Sequence, residues 1–336
     1  MKKSFNKVIF TIIGTVIGAG FASGQEILSF FNIFNEAGFI GVIISSFFTG
    51  LIIYLILKKS NKFGISSYKQ LLESTKLPKK IIKLFNFIVN LFLLLSFYIM
   101  VAGFATYFKQ EFNIPKIIII PFTVFFCYIT FRKRIEGITK INNIIIPILI
   151  LIIIVLGIKA DITNEIGNFT IRSSNITGNW MWVVKCIEYA SYNSILLIPM
   201  LISIKKYARG KEKSISIIST VILFVLSSII YFILYKFIKI EDMNEIEMPM
   251  VYLAGKINFV YKYIYGIVII FSIYSTMISA GYGFLENINK DKYDEFNKII
   301  CLSAVIVAFV SFSKLVNLTY PIFGILGLIQ LIYMLK

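Results

Sequence analysis

Long apolar segments follow one another along the whole chain, with short polar or charged stretches between them. Apolar segments of about 18 residues or more are typical of helices that cross a bilayer. Ten spans are predicted, at residues 8–34, 37–57, 81–107, 117–131, 135–158, 180–204, 215–235, 259–284, 299–312 and 315–335. The pattern therefore predicts an all-α polytopic membrane protein.

Two shorter segments between the spans are also expected to be ordered. Residues 65–74 predict a short amphipathic helix on the cytoplasmic surface. Residues 247–258 form an outer segment that is too apolar for an ordinary solvated loop. That segment either dips into the extracellular vestibule or is a plain surface helix.

The first span contains an unusual glycine-rich stretch. Gly14, Gly18, Gly20 and Gly24 lie in it, and Glu26 follows directly. Glycine destabilises a helix interior by about 1 kcal/mol relative to alanine. Backbone without helical partners is tolerated at bilayer depth only where it lines a cavity. The stretch therefore predicts an interrupted helix at a binding site.

A second polar interruption lies in the sixth span, at residues 188–194, with Pro199 shortly beyond it. About 170 residues separate the two interruptions, roughly half of the chain, and each opens a block of five spans. The blocks, at 7–160 and 178–336, are predicted to be repeats within a single transporter domain. Because five is odd, the second block enters from the opposite side, and such inverted repeats bind ligands near the midplane.

Three motifs carry a family resemblance: GTVIGAGFASGQE at 14–26, YASYN at 189–193 and STMISAG at 275–281. The first resembles the first helix of the YkvI-like membrane proteins, which belong with the amino acid, polyamine and organocation (APC) transporters. The resemblance covers essentially the whole chain. It implies a LeuT-like fold, with ten helices in a five-plus-five inverted repeat and helices one and six unwound mid-membrane.

The resemblance also implies a sodium site between helices one and eight. Gly14 and Ile17 match the carbonyl positions, and Ser275 and Thr276 match the hydroxyl positions. Ser272 lies on the same face and could add a carbonyl, since hard cations favour oxygen ligands. Alternatively, the hydroxyls bond only to the preceding turn of their own helix. Apart from a possible bound sodium ion, no cofactor is expected.

The substrate is expected to lie between the two interruptions. Unpaired N–H groups at the start of a half-helix attract anions, so the amides of residues 18–21 could receive a carboxylate. Gly103 either leaves room for the ligand or marks a packed helix crossing. The predicted substrate-binding residues are Gly18, Ala19, Gly20, Phe21, Ser23, Gly103, Tyr189, Ser191, Tyr192 and Asn193.

Four charged residues are candidates for gating or coupling. Glu26 is costly at membrane depth, so it serves a gate or coupling role unless it is solvated in the vestibule. Lys185 and Glu188 are three residues apart and form either a local ion pair or a gate. Lys140 is either a cytoplasmic anchor or an amine that titrates in place of sodium.

Composition narrows the classes of function. The chain has no histidine, the commonest catalytic base, and no paired carboxylates within a span, so an enzyme is not expected. Cys127, Cys186 and Cys301 are far apart in apolar surroundings, which predicts core residues rather than a disulfide or metal site.

The net charge of +17 is explained by topology. With both termini cytoplasmic, the cytoplasmic segments hold 24 of the 34 basic and seven of the 17 acidic residues, and the rest of the chain is neutral. This is the positive-inside rule of plasma-membrane proteins. The expected partners are thus a small-molecule solute and membrane lipids, with no nucleic acid.

Together these features predict a secondary active transporter of a small amino acid, amine or related solute, coupled to sodium or protons. It would work by rocking a bundle with helices one and six against helices three, four, eight and nine. The alternative is a ligand-sensing receptor subunit of the same fold, similar to germination receptors, without net transport.

Overall fold

The computed structural model describes residues 2–75, 77–132, 138–162, 180–238, 246–288 and 292–335. Within these ranges the chain forms 14 α-helices and one 3-10 helix, Asn32–Phe34. The α-helices are α1 Lys2–Val16, α2 Ala19–Ser23, α3 Gln25–Phe30, α4 Glu36–Lys62, α5 Tyr68–Ser74, α6 Lys79–Phe112, α7 Lys116–Arg132, α8 Ile138–Ile162, α9 Met181–Ala208, α10 Glu212–Ile238, α11 Pro249–Ile257, α12 Phe259–Glu286, α13 Tyr293–Val307 and α14 Phe312–Leu335.

In the described part of the chain, six helices are long and apolar enough to cross a membrane: α4, α6, α9, α10, α12 and α14. Shorter apolar helical stretches cover Phe5–Val16 in α1 and Ile146–Ala160 in α8. Large apolar side chains such as Phe122, Leu302 and Ile306 are exposed on the outer surface, as suits contact with lipid. The chain is therefore an integral membrane protein. The full count of ten spans stays a prediction, because it also needs the shorter helices α7 and α13.

The first predicted span is divided into three helices. α1 ends at Val16, α2 begins at Ala19, and Gly24 separates α2 from α3. Gly24 has a φ of 83°, in the left-handed region that glycine adopts without steric cost. The glycine pattern therefore marks two real changes of direction in the backbone.

The predicted unwinding of the sixth span is wrong for this structure. α9 is a continuous helix through residues 188–194. The polar side chains there bond to their own helix: the Asn193 amide donates to the carbonyl of Tyr189 at 3.0 Å, and the Ser194 hydroxyl donates to that of Ser191. The polar residues therefore decorate an intact helix.

The helices pack in two groups. α1, α4, α9 and α10 contact one another, and α6, α7, α12 and α13 form a second set. The second set corresponds to predicted spans three, four, eight and nine. α14 packs closely on α9: a Cβ added at Gly327 would lie 2.2 Å from the carbonyl oxygen of Ser191. Both predicted short segments are helices, α5 and α11, and α11 is largely buried. Several helices extend beyond the predicted spans, whereas α13 ends at Val307, before the predicted residue 312.

Candidate functional site

The centre of the site is the break between α1 and α2. The amide of Gly18 donates to the carbonyl of Val16 at 3.0 Å, and ordinary helical bonding resumes where Ala22 donates to the carbonyl of Gly18. Gly18 is extended, with a ψ of −174°. The hydroxyl of Ser23 donates to the carbonyl of Gly20 at 2.9 Å, which closes the short helix. The backbone is thus held open by a specific local structure.

The carboxyl group of Glu26 folds back into this break. It lies beside the backbone N–H of Phe21, close enough to interact with it electrostatically. A Cβ added at Gly20 would lie only 2.3 Å from its Oε1. The Glu26 side chain is 3% exposed, which excludes the solvated alternative. The position predicted for a solute carboxylate is therefore occupied by a carboxyl group of the chain itself.

The hydroxyl of Tyr192, on α9, donates a hydrogen bond to Glu26 Oε2. Its ring is stacked between Phe30 and Tyr320, with centroid distances of 5.6 and 4.6 Å. Tyr189 meets the Phe30 and Tyr192 rings edge-on. The hydroxyls of Tyr189 and Tyr320 lie close enough to interact electrostatically with the carboxyl group. We call these five residues the Glu26 cluster.

The cluster lacks a basic residue. Within the described ranges, no lysine or arginine forms an ion pair with Glu26. The ammonium group of Lys185, on α9, lies 5.5 Å from the centre of the Phe30 ring. Its ammonium group pairs with Glu188 at 2.7 Å, which is the local ion pair expected from their spacing. The Glu26 carboxyl group therefore has no basic partner among the described residues of the cluster.

Two cavities lie near opposite ends of α9. We name them by the predicted orientation of the chain. The outer cavity, of about 290 Å³, is lined by α3, the start of α14 and Lys185. The inner cavity, of about 740 Å³, is lined by α5, α6, α12 and the α9 residues Leu196, Pro199 and Met200. Lys185 and Met200 are about 22 Å apart along the helix axis, at 1.5 Å per residue. Tyr192 lies close to the midpoint between them.

α11 covers the outer side of the break. The Gln110 side chain, on α6, accepts a hydrogen bond from the Met248 amide at 3.0 Å, and Glu247 accepts one from the Ser313 amide at the start of α14. The side chain of Met250 reaches Gly24, where an added Cβ would lie 2.8 Å from its Cγ. The segment therefore does dip towards the site, and it connects the break to α6 and α14.

The predicted cation ligands are only partly brought together. A Cβ added at Gly18 would lie 4.0 Å from the methyl group of Thr276, so α2 and α12 adjoin there. Gly14 instead faces Ile146 on α8. Ser272 and Ser275 are buried on α12, and Ile17 is buried at the end of α1. A sodium site at these residues stays a prediction, and the side chain of Lys140 lies outside the described residues.

The predicted substrate residues divide into two sets. Tyr189, Tyr192, Gly20 and Phe21 surround or contact the Glu26 carboxyl group. Gly103 does not face the cluster's carboxyl group: an added Cβ would lie 3.0 Å from the Phe312 ring, so it marks a packed crossing of α6 and α14. Gly18 is half-buried at the start of α2, beside Thr276. The other predicted residues are buried in the helix framework: Ala19, Ser23, Ser191 and Asn193.

Two members of the cluster, Phe30 and Tyr320, are not among the predicted site residues. Phe30 is one turn after Glu26 on α3, and Tyr320 comes from α14, nearly 300 residues away in sequence. Aromatic residues are common throughout this chain, so neither stands out by type. The i to i+4 spacing of Glu26 and Phe30 is the one signal that could have identified Phe30.

Comparison with known proteins agrees with this architecture. The chain is 23% identical to the membrane protein YkvI of Bacillus subtilis (strain 168), over 97% of this chain and 94% of YkvI. It is 26% identical to the protein YyaD of the same organism, over 98% of this chain and 95% of YyaD. No family model matches the chain.

Among solved structures, variants of the manganese transporter of Eremococcus coleocola match with a TM-score of 0.66 at 13% identity. The match covers 98% of this chain and 78% of the transporter. The chain therefore has a transporter fold, which fits the LeuT-like fold predicted from its motifs. Membership of the APC superfamily in particular stays a prediction. Of the matched proteins, YkvI is a membrane protein and the solved structures are those of a manganese transporter.

Proposed function

We propose that this chain is a secondary transporter that carries a small amino acid, amine or related solute by alternating access, coupled to sodium or protons. The observation that supports this most directly is the position of the Glu26 cluster. It is buried midway between two cavities that lie near opposite ends of α9. A solute bound at the cluster could be accessible through one cavity at a time, and therefore from one side of the membrane at a time.

The positive-inside rule assigns the larger cavity to the cytoplasmic side, because Lys69 and the start of α6 line it. On the outer side, the Phe30 and Tyr192 rings and α11 cover the cluster. We therefore interpret the structure as a state closed to the exterior. Opening would need α1–α3 and α9, which carry most of the cluster, to move relative to the second packing group, α6, α7, α12 and α13.

The structural match to a manganese transporter raises a metal ion as a solute. Within the described residues, no group of three or more histidine, cysteine, aspartate or glutamate side chains could hold a metal ion. The chain has no histidine. Transition metals in proteins are held by several imidazole, thiolate or carboxylate ligands. This donor set therefore favours an organic solute over manganese.

Purified protein in liposomes tests the proposal. Amino acids and amines are offered under an imposed sodium or proton gradient, with protein-free liposomes as the control. Gradient-driven accumulation of a solute is expected. Saturable binding without accumulation under either gradient would contradict transport and favour the sensing receptor.

Alternating access has its own measurement. Asn90→Cys and Ser313→Cys place single thiols at the inner and outer cavities, whose lining includes both positions. A membrane-impermeant maleimide applied to each face should label them from opposite sides. Transported solute should change the two labelling rates in opposite directions, and parallel changes would contradict alternating access.

A further inference from the structure

We infer that Glu26 exchanges one proton for one solute cation, so that the solute is an organic cation without a carboxylate, such as an amine or a quaternary ammonium ion. This inference rests on the proposed transport function, and it names the substrate class and the coupling ion.

The Glu26 cluster lacks a compensating positive charge. Glu26 lies in an apolar interior beside the Phe21 amide and accepts a hydrogen bond from the Tyr192 hydroxyl, and neither group carries a positive charge. An ionised carboxylate is strongly disfavoured in such surroundings unless a cation compensates it. The cluster therefore needs one positive charge that the described chain does not supply, and a proton or a solute cation can provide it.

The groups packed around Glu26 from each neighbouring element support this. α9 presents Tyr189 and Tyr192, and α14 presents Tyr320. Leu234 of α10 and Met250 of α11 are apolar and face Gly24. The nearby tyrosine hydroxyls bond elsewhere: that of Tyr265 to the Ala22 carbonyl, and those of Tyr231 and Tyr235 to Asn35 and Glu36. Lys185 pairs with Glu188, beyond Phe30.

The aromatic side chains around Glu26 also favour a cation. The rings of Phe30, Tyr189, Tyr192 and Tyr320 lie around one carboxyl group, and faces of aromatic rings attract ammonium groups. The Tyr189 hydroxyl, buried beside the Asn193 side chain, forms no hydrogen bond of ordinary geometry with any described residue. It is available as an acceptor for a solute N–H group.

The cluster also disfavours a solute that carries a carboxylate. The Phe21 amide, which could receive a solute carboxylate, already faces the Glu26 carboxyl group. A second carboxylate would meet a like charge at close range in a medium of low dielectric constant. An amino acid would therefore bind only if Glu26 stayed protonated or left the break. A cation needs neither.

The exchange balances in atoms and charge. In the solute-free state the carboxyl group holds a proton, and the cluster is neutral. As a cation enters, the O–H bond of the carboxyl group breaks, the proton leaves to water, and the carboxylate pairs with the cation. The cluster is neutral again. Release on the other side is the reverse, so one cation moves against one proton and the cycle is electroneutral.

Calorimetry on the purified wild-type protein tests this between pH 6 and pH 9. The cation probes are choline, ethylammonium and tyramine, and the neutral isostere 3,3-dimethylbutan-1-ol controls for shape. At least one cation should bind, the alcohol should not, and about one proton should be released per cation. In the range where Glu26 is protonated, the Kd should rise about tenfold for each unit by which the pH is lowered, as competition by one proton requires.

Glu26→Gln should abolish cation binding at every pH. Its amide oxygen can still accept the hydrogen bond from Tyr192, so the fold should be retained. Glu36→Gln is the matched control, because Glu36 is also a buried carboxyl group that accepts a tyrosine hydroxyl, that of Tyr235 at 2.6 Å. Cation affinity in Glu36→Gln should stay within twofold of the wild type.

Four results would overturn the inference: no binding of any cation at pH 9, affinity that does not depend on pH, retained binding in Glu26→Gln, or binding of only glycine, alanine or Mn²⁺. Gradient-driven uptake of an amino acid without cation binding would leave the transport proposal intact and remove this one. Proton-linked cation binding without any accumulation in liposomes would support the role of Glu26 and remove the transport proposal.

Discussion

At the scale of single residues, two glycines in the same break have different surroundings. At Gly20 an added Cβ would lie 2.3 Å from Glu26 Oε1, whereas at Gly18 the nearest atom would be 4.0 Å away. Gly18 has a φ of −82°, which other residues also adopt. The close approach at Gly20 is therefore specific to the folded position of the Glu26 carboxyl group.

This difference gives a paired prediction. Gly20→Ala should displace Glu26 and destabilise the protein by about 1–3 kcal/mol, the usual effect of overpacking a core. Gly18→Ala should change stability by less than about 1 kcal/mol, because the added methyl group makes only an ordinary van der Waals contact, with Thr276. Thermal unfolding in detergent measures both. Equal losses for the two variants would mean that Glu26 does not occupy the break.

The Tyr192 hydroxyl gives a second prediction at this scale. Tyr192→Phe keeps the ring between Phe30 and Tyr320 and removes the donor to Glu26, which should destabilise the protein by about 1–3 kcal/mol. Tyr235→Phe removes the equivalent donor to Glu36 and should cost a similar amount. Only Tyr192→Phe should also weaken solute binding. A loss of binding in Tyr235→Phe of the same size would contradict a special role for Tyr192.

The sequence was informative about these residues to different degrees. Glu26 and Tyr192 stand out because a carboxylate or a polar cluster within an apolar span needs an explanation. Phe30 and Tyr320 do not, because an aromatic residue in a membrane helix is equally suited to lipid, core or ligand. Their inclusion depends on how α3, α9 and α14 meet, which is a tertiary property.

At the scale of helices, the two interruptions have different outcomes. The glycines of the first span leave the backbone without a side-chain constraint, and the helix breaks there. In α9 the side chains of Asn193 and Ser194 bond back to carbonyls of the preceding turn, and the helix continues. Sequence could locate both polar stretches. It could not decide between unwinding and local bonding, because both satisfy the same polar groups.

The attachment of α11 can be tested at this scale. Gln110→Ala removes the side-chain contacts to the amide and carbonyl of Met248, so α11 should detach more often. Amide hydrogen exchange across Pro249–Ile257 should become at least several-fold faster. Gln70→Ala is the control, since that side chain bonds to Ser66 beside α5. Unchanged exchange in α11 of Gln110→Ala would show that apolar burial alone holds this helix.

At the scale of the whole molecule, the resemblance predicted which helices would pack together, and the packing agrees. α6, α7, α12 and α13 form one set, as expected for spans three, four, eight and nine. Periodicity alone could not have predicted this arrangement, because hydrophobic spans in lipid carry little information about their neighbours. Orientation in the membrane is a separate question, for which the charge distribution gives the only prediction.

That orientation can be measured with two exposed positions. Lys69→Cys should react with an impermeant maleimide only from the cytoplasmic face, and Lys314→Cys only from the outside. The three native cysteines are buried, so their background labelling should be low. Inside-out and right-side-out vesicles provide the comparison. Labelling of both positions from one face would contradict the inverted relationship of the two halves.

Gly24 lies between the two parts of the site on the chain itself. Gly20 and Phe21 precede it on α2, and Glu26 follows it on α3. With its left-handed φ of 83°, it is the residue in this stretch best able to absorb a torsional change. Rotation about this one hinge would draw the carboxylate out of the break and turn Phe30 with it. Proton exchange at Glu26 and movement of Phe30 on the outer side would then both depend on rotation about Gly24.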